Sequence, residues 1–132
     1  MKRILFVCVE NSNRSQMAEA FARIHGAGRV EPVSAGSRPS GKINPRAIEV
    51  MREKGYDLSQ HQSKSLDEVP PGEYEVAVTM GCGDACPMVQ ARRHEDWSLP
   101  DPRNMSLEEV RQGRDAIEAR VVALLAALDE TN

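Results

Sequence analysis

The chain has 132 residues, with 17 Lys and Arg against 20 Asp and Glu, a formal net charge of -3 and three cysteines. One α/β domain, residues 1–132, is expected, because that length buries about two-thirds of the unfolded surface and holds a core without staples. No basic block or aromatic-rich basic stripe suggests nucleic acid, the apolar run before Cys8 is too short for a signal peptide or membrane span, and three cysteines make no secreted disulfide framework, so we expect a cytosolic monomer acting on a small ligand.

In chain order, Ile4-Leu5-Phe6-Val7 reads as a strand that leads into Cys8-Val9-Glu10-Asn11-Ser12-Asn13-Arg14-Ser15. A helical pattern begins near Gln16, with Met17, Ala20, Phe21 and Ile24 on one face until Gly26 and Gly28 stop it. Strand, loop and helix N-terminus in that order make an anion site, since backbone N–H groups and the helix end favour negative charge. The backbone of Val9, Glu10, Asn11, Ser12, Asn13, Arg14 and Ser15 would wrap a tetrahedral oxyanion, which Arg14 would grip bidentately. Cys8 at the head of this loop should rest as the thiolate, ready for nucleophilic attack. Asn11 and Asn13 tolerate left-handed backbone, and Ser12 and Ser15 are small donors. The plain alternative is a buried structural Cys8 beside a surface Arg14, and a bare Cys-x5-Arg spacing alone is weak evidence against it.

Val30 to Ala35 reads as a second strand, placed at a sheet edge by Pro32. Asn44-Pro45 caps a helix carrying Ala47, Ile48 and Met51 and ending at Gly55. Leu58 to Glu73 reads as a loop with one turn capped by Ser65 and Glu68. Val76 to Met80 is a strand buried on both faces, leading into Gly81-Cys82-Gly83-Asp84-Ala85-Cys86-Pro87. Glu95 to Leu99, with Trp97, is a weaker strand candidate before Pro100-Asp101-Pro102. A capping box at Ser106 and Glu109 opens a long final helix with Val110, Ile117, Val121, Leu124, Leu125 and Leu128 on one face.

Strands alternating with helices argue for a single-domain, four-stranded parallel sheet flanked by helices on both faces, with ligands at the carboxyl ends of the strands. The polar candidates sort by that rule: Cys8 follows the first strand, Ser34 closes the second, Cys82 follows the third and Asp101 the fourth. Cys82 and Cys86 lie close enough for a disulfide if the turn between them unwinds, which Pro87 assists. A dithiol beside a nucleophilic cysteine suits the transfer of a disulfide from a buried site to the surface. The alternative is half of a zinc site completed by His94 or His61. Asp101, held between prolines, is either a turn residue or a general acid. His25, His61 and His94 read as surface imidazoles without a role.

Val7-Cys8 through Ser15-Gln16-Met17-Ala18-Glu19 resembles the active-site signature of the low-molecular-weight protein tyrosine phosphatase superfamily, above all its arsenate reductase branch. Tyrosine phosphatases of that group carry a second cysteine before the arginine and a proline after the serine; Asn13 and Gln16 stand there instead. Val78 to Met88 resembles the redox segment of thioredoxin-coupled arsenate reductases, with a shorter insert between Cys82 and Cys86 than several relatives have. Asp101-Pro102 resembles the superfamily's general-acid dipeptide. Asn11, Glu19 and Ser34 resemble positions that form a potassium site in some arsenate reductases, and Lys64 stands where those relatives carry a carboxylate, so its ammonium would replace the ion. Glu19 as a helix-surface acid is the alternative.

The resemblance implies reduction of arsenate to arsenite: Cys8 attacks arsenic, Asp101 protonates the departing oxygen, Cys82 attacks Cys8, and Cys86 attacks Cys82. Thioredoxin, or glutaredoxin with glutathione, would regenerate the thiols, with no tightly bound cofactor. Two other readings remain open: a phosphatase using Cys8, Arg14 and Asp101 on aryl phosphates, and a thiol-based sensor binding arsenite or zinc.

Overall fold

An uninterrupted apolar strand must be covered on both sides, and Ile4 to Val7 is buried throughout at the centre of the molecule. The computed structural model describes residues 1–81, 89–99 and 104–129. Over these the order is β1 (Lys2–Cys8), α1 (Arg14–His25), β2 (Val30–Gly36), α2 (Pro45–Arg52), two 3-10 turns (Leu58–Gln60 and Leu66–Glu68), β3 (Tyr74–Thr79), β4 (Ala91–Asp96) and α3 (Leu107–Asp129). The four strands form one parallel sheet in the order β2-β1-β3-β4. Pro32 accordingly lies on an edge strand, where its missing N–H breaks no ladder. β2 and β3 are added on opposite sides of β1, so the loop after Cys8 opens at the switch point of the strand order, where ligands of such folds bind.

Alternation along β1 separates two cores. Ile4, Phe6 and Cys8 join α1, α2 and α3 in the larger cluster, while Leu5 and Val7 join Ala35 and Tyr74 on the opposite face. Among the described residues that second face is covered by Leu66 and Val69 of the connection from β2 to β3, where the helical element is a 3-10 turn. The short turn carries the expected capping box of Ser65 and Glu68. In α2, Asn44 Oδ1 accepts the Arg46 N–H and Pro45 occupies the first helical position. Ser106 and Glu109 cap α3 reciprocally.

β4 begins four residues earlier than the sequence suggests. Its residues, Ala-Arg-Arg-His-Glu-Asp, lack the apolar pattern because the strand lies at the exposed sheet edge, where charge guards against pairing with other chains. Trp97, just beyond it, is the buried anchor, with its ring 5.9 Å from Phe6.

Candidate active site

A loop that cradles an anion must turn its C=O groups away, and each of those needs a partner elsewhere. Here six successive carbonyls have one. The oxygens of Cys8, Val9 and Glu10 accept from the N–H groups of Ser37 (3.3 Å), Arg38 (2.8 Å) and Ser40 (3.0 Å). The Asn11 oxygen accepts from Gln16 Nε2 at 3.0 Å, that of Ser12 from Asn44 N–H at 2.8 Å, and that of Asn13 from Met17 N–H at 3.0 Å. A trans peptide carries C=O and N–H on opposite edges, so the N–H groups of residues 9–14 are turned the other way, into the loop. Residues 37–44 therefore act as a strap that holds the loop open toward an anion. Gly36 lets the strap approach: a Cβ there would fall 2.5 Å from the Val9 oxygen and 3.0 Å from the Asn11 nitrogen.

The orientation of the Asn11 amide beside the sulfur follows from one backbone donor. Lys64 N–H points at the outer Asn11 side-chain atom at 3.0 Å, which must therefore be the oxygen. Asn11 Nδ2 then donates to Ser15 Oγ at 2.8 Å, and Ser15 Oγ is hydrogen-bonded in turn to Cys8 Sγ, also at 2.8 Å, with the serine hydrogen free to point at the sulfur. Asn11 N–H donates to the same sulfur at 3.2 Å. Asn11 can serve both sides only in the left-handed conformation, and its φ is 51°. Asn13 is not left-handed, with φ -139°; its buried carboxamide has no hydrogen-bond partner among the described residues. Arg14, the first residue of α1, donates from Nη1 to the Leu99 carbonyl at 2.9 Å.

A second layer supports Asn11. Gln16 is fully buried and donates from Nε2 to Asn11 Oδ1 at 2.8 Å and to the Gln62 carbonyl at 2.9 Å. Its Oε1 therefore accepts from His61 Nδ1 at 2.9 Å, and His61 Nε2 is left to accept from Tyr56 at 2.6 Å. His61 is thus part of the site's support and not the surface imidazole expected, and no sequence signal distinguishes it from the exposed His25 and His94. The Gly36 strap was equally hidden, since only the glycine at the strand end hints at a close approach.

Glu19 is 4% exposed, so it is no surface acid. Ser34 Oγ donates to its Oε1 at 2.7 Å, Arg23 pairs with its Oε2 at 3.0 Å, and the Lys64 ammonium lies 3.9 Å from Oε1. The fold brings Asn11, Glu19, Ser34 and Lys64 together, but with two cations already at the carboxylate the donor set does not fit a further cation. Cys82, Cys86 and Asp101 lie outside the described residues. No described helix is long and apolar enough to cross a membrane.

The model of the low molecular weight phosphotyrosine protein phosphatase family matches residues 3–132. A glutaredoxin arsenate reductase of Synechocystis is 40% identical over 131 residues, covering 97% of this chain and 99% of the relative. An arsenate reductase solved in the phosphate binding state superposes with a TM-score of 0.88 at 40% identity, over 96% of this chain and 98% of the other. A Corynebacterium glutamicum thioredoxin-dependent arsenate reductase superposes with a TM-score of 0.81 at 30% identity, over all of this chain and 64% of the other.

The support layer titrates. Burial holds the His61 imidazole below its ordinary value of 6.5, against the upward pull of Glu19. The folded protein therefore binds this proton less readily than the unfolded chain, and the stability involved is full above pH 6.5 and lost as pH falls through the folded value. Urea unfolding from pH 7.5 downward, at about half-unit steps, should show this loss in the wild type. It should be much reduced in His61→Gln; equal slopes in the two proteins would contradict the assignment.

Proposed function

The chain belongs to the low molecular weight phosphotyrosine protein phosphatase family, and we propose that it reduces arsenate to arsenite with Cys8 as the nucleophile. The observation that carries this reading is the inward-facing loop of residues 8–15, with a sulfur at its base and donors already directed at it. Arsenate and phosphate are both tetrahedral oxyanions, so the loop suits either one, and the choice between them rests on the other two cysteines. Cys82 and Cys86 supply thiols that a phosphatase would not need, and relatives of this length are named arsenate reductases.

In the reading proposed, the Cys8 thiolate attacks arsenic while Arg14 and the loop N–H groups hold the remaining oxygens. One As–O bond breaks, and with a proton from Asp101 that oxygen leaves as water. Cys82 thiolate then attacks the Cys8 sulfur; an S–S bond forms, the S–As bond breaks, and its electron pair leaves on arsenic as arsenite. Cys86 next displaces Cys8 from Cys82, restoring the Cys8 thiolate. The resulting Cys82–Cys86 disulfide passes to an external dithiol, thioredoxin or glutaredoxin with glutathione. Lys64 fills the position of a monovalent cation beside the loop.

Purified protein with thioredoxin, its reductase and NADPH should oxidise NADPH only when arsenate is present. Cys82→Ser should lose this activity and keep at most weak hydrolysis of an aryl phosphate. Absence of arsenate-dependent turnover with both thioredoxin and glutaredoxin systems would overturn the reading, and robust aryl phosphate hydrolysis in its place would make the protein a phosphatase. The KM for arsenate should also be the same in potassium and in sodium salts; a several-fold fall on adding potassium would contradict the role given to Lys64.

A further inference from the structure

Arg14 has five N–H groups and must present a planar fork at a fixed angle to grip an oxyanion with two bonds. Nη1 is engaged by the Leu99 carbonyl at 2.9 Å, and no other hydrogen bond from this side chain is made among the described residues. The Nε–Nη2 edge is thereby left for the anion, and its direction is set by the one anchor at the far end of the guanidinium. That anchor lies directly against Gly81. A Cβ at position 81 would stand 3.0 Å from Arg14 Nη1 and 3.3 Å from the Leu99 oxygen, the two partners of the same hydrogen bond. Gly81 also has φ +81°, where L side chains are strained. The residue is glycine on two independent grounds, and only one of them is backbone geometry.

We propose that Gly81 is a positioning residue for Arg14: its bare α-carbon forms the wall of the space in which the guanidinium meets Leu99, and this sets the strength with which the loop holds an oxyanion. The proposal rests on reading residues 8–15 as an oxyanion site, and it extends that reading to the chain entering the thiol segment. Gly81 is joined to Cys82 by one peptide bond, so the backbone that carries the second thiol also supports the arginine. Leu99, the other contact, comes two residues before Asp101. Oxyanion affinity is on this account tied to the placement of both segments through a single side chain.

The test separates the contact from the backbone strain. Gly55 has φ +78° with nothing within 4 Å of the place a Cβ would take, so Gly55→Ala carries the strain alone. Gly81→Ala carries strain and contact, and Gly81→Asn carries the contact with less strain, because asparagine tolerates the left-handed region as Asn11 does. The readouts are the dissociation constant of inorganic phosphate by calorimetry, its protection of Cys8 from iodoacetate by peptide mass spectrometry, the KM and kcat for arsenate, and urea stability. In Gly81→Ala the phosphate dissociation constant and the arsenate KM should rise together by roughly tenfold, the effect of one weakened charge-assisted bond, with kcat at saturating arsenate within about twofold. Gly81→Asn should lose the same affinity while regaining stability, and Gly55→Ala should lose stability alone. Wild-type phosphate affinity in Gly81→Ala, or an equal loss of affinity in Gly55→Ala, would overturn the proposal while leaving the oxyanion site standing. Failure of the wild type to hold phosphate at all would overturn both.

Discussion

Everything at this site depends on where the carbonyls of residues 8–13 go. A loop of six peptides can present its N–H groups to an anion only if the opposite edges find donors, and a carbonyl left buried without one costs about 1–3 kcal/mol. The strap of residues 37–44 supplies four of those donors from its own backbone, and Gln16 and Met17 supply the others. Because most of these donors are main-chain groups, the loop's shape is set by the placement of β2 against β1. The register that pairs Cys8 with Gly36 brings the strap to the loop, and the absent side chain at Gly36 allows the final approach.

The same constraint of direction orients the Asn11 side chain beside the sulfur. A main-chain N–H cannot act as an acceptor, so Lys64 determines which way the Asn11 amide points. From there Asn11 donates to Ser15, whose own hydrogen is free to turn toward the Cys8 sulfur 2.8 Å away. Gln16 extends the order outward to His61 and Tyr56, which ties the loop around the buried Cys8 to a titrating imidazole. Glu19 meets this layer from the other side, and Arg23 and Lys64 balance its buried charge.

Much of this was legible in the sequence, for identifiable reasons. The apolar run of β1, the Asn44-Pro45 cap, the two capping boxes and the stripe along α3 are local patterns with local causes, and each appears where the sequence puts it. Cys8, Asn11, Arg14 and Ser15 were legible because the chemistry of an anion loop demands those residue types. β4 was displaced because an exposed edge strand has no apolar alternation to read. His61 was hidden because its burial is created by the return of the chain after α2, a tertiary event that its polar neighbours do not announce. The fit of Gly81 against Arg14 was hidden for the same reason: a glycine after a strand reads as a turn, and nothing local reveals an arginine 67 positions earlier resting on it.

In the proposed relay the oxidation leaves Cys8 through Cys82. It is tested most directly by treating reduced Cys86→Ser protein with one equivalent of arsenate and mapping its disulfides by mass spectrometry. One arsenite should be released per chain, and a Cys8–Cys82 disulfide should accumulate because nothing resolves it. Release of arsenite with Cys82 still a free thiol would contradict it.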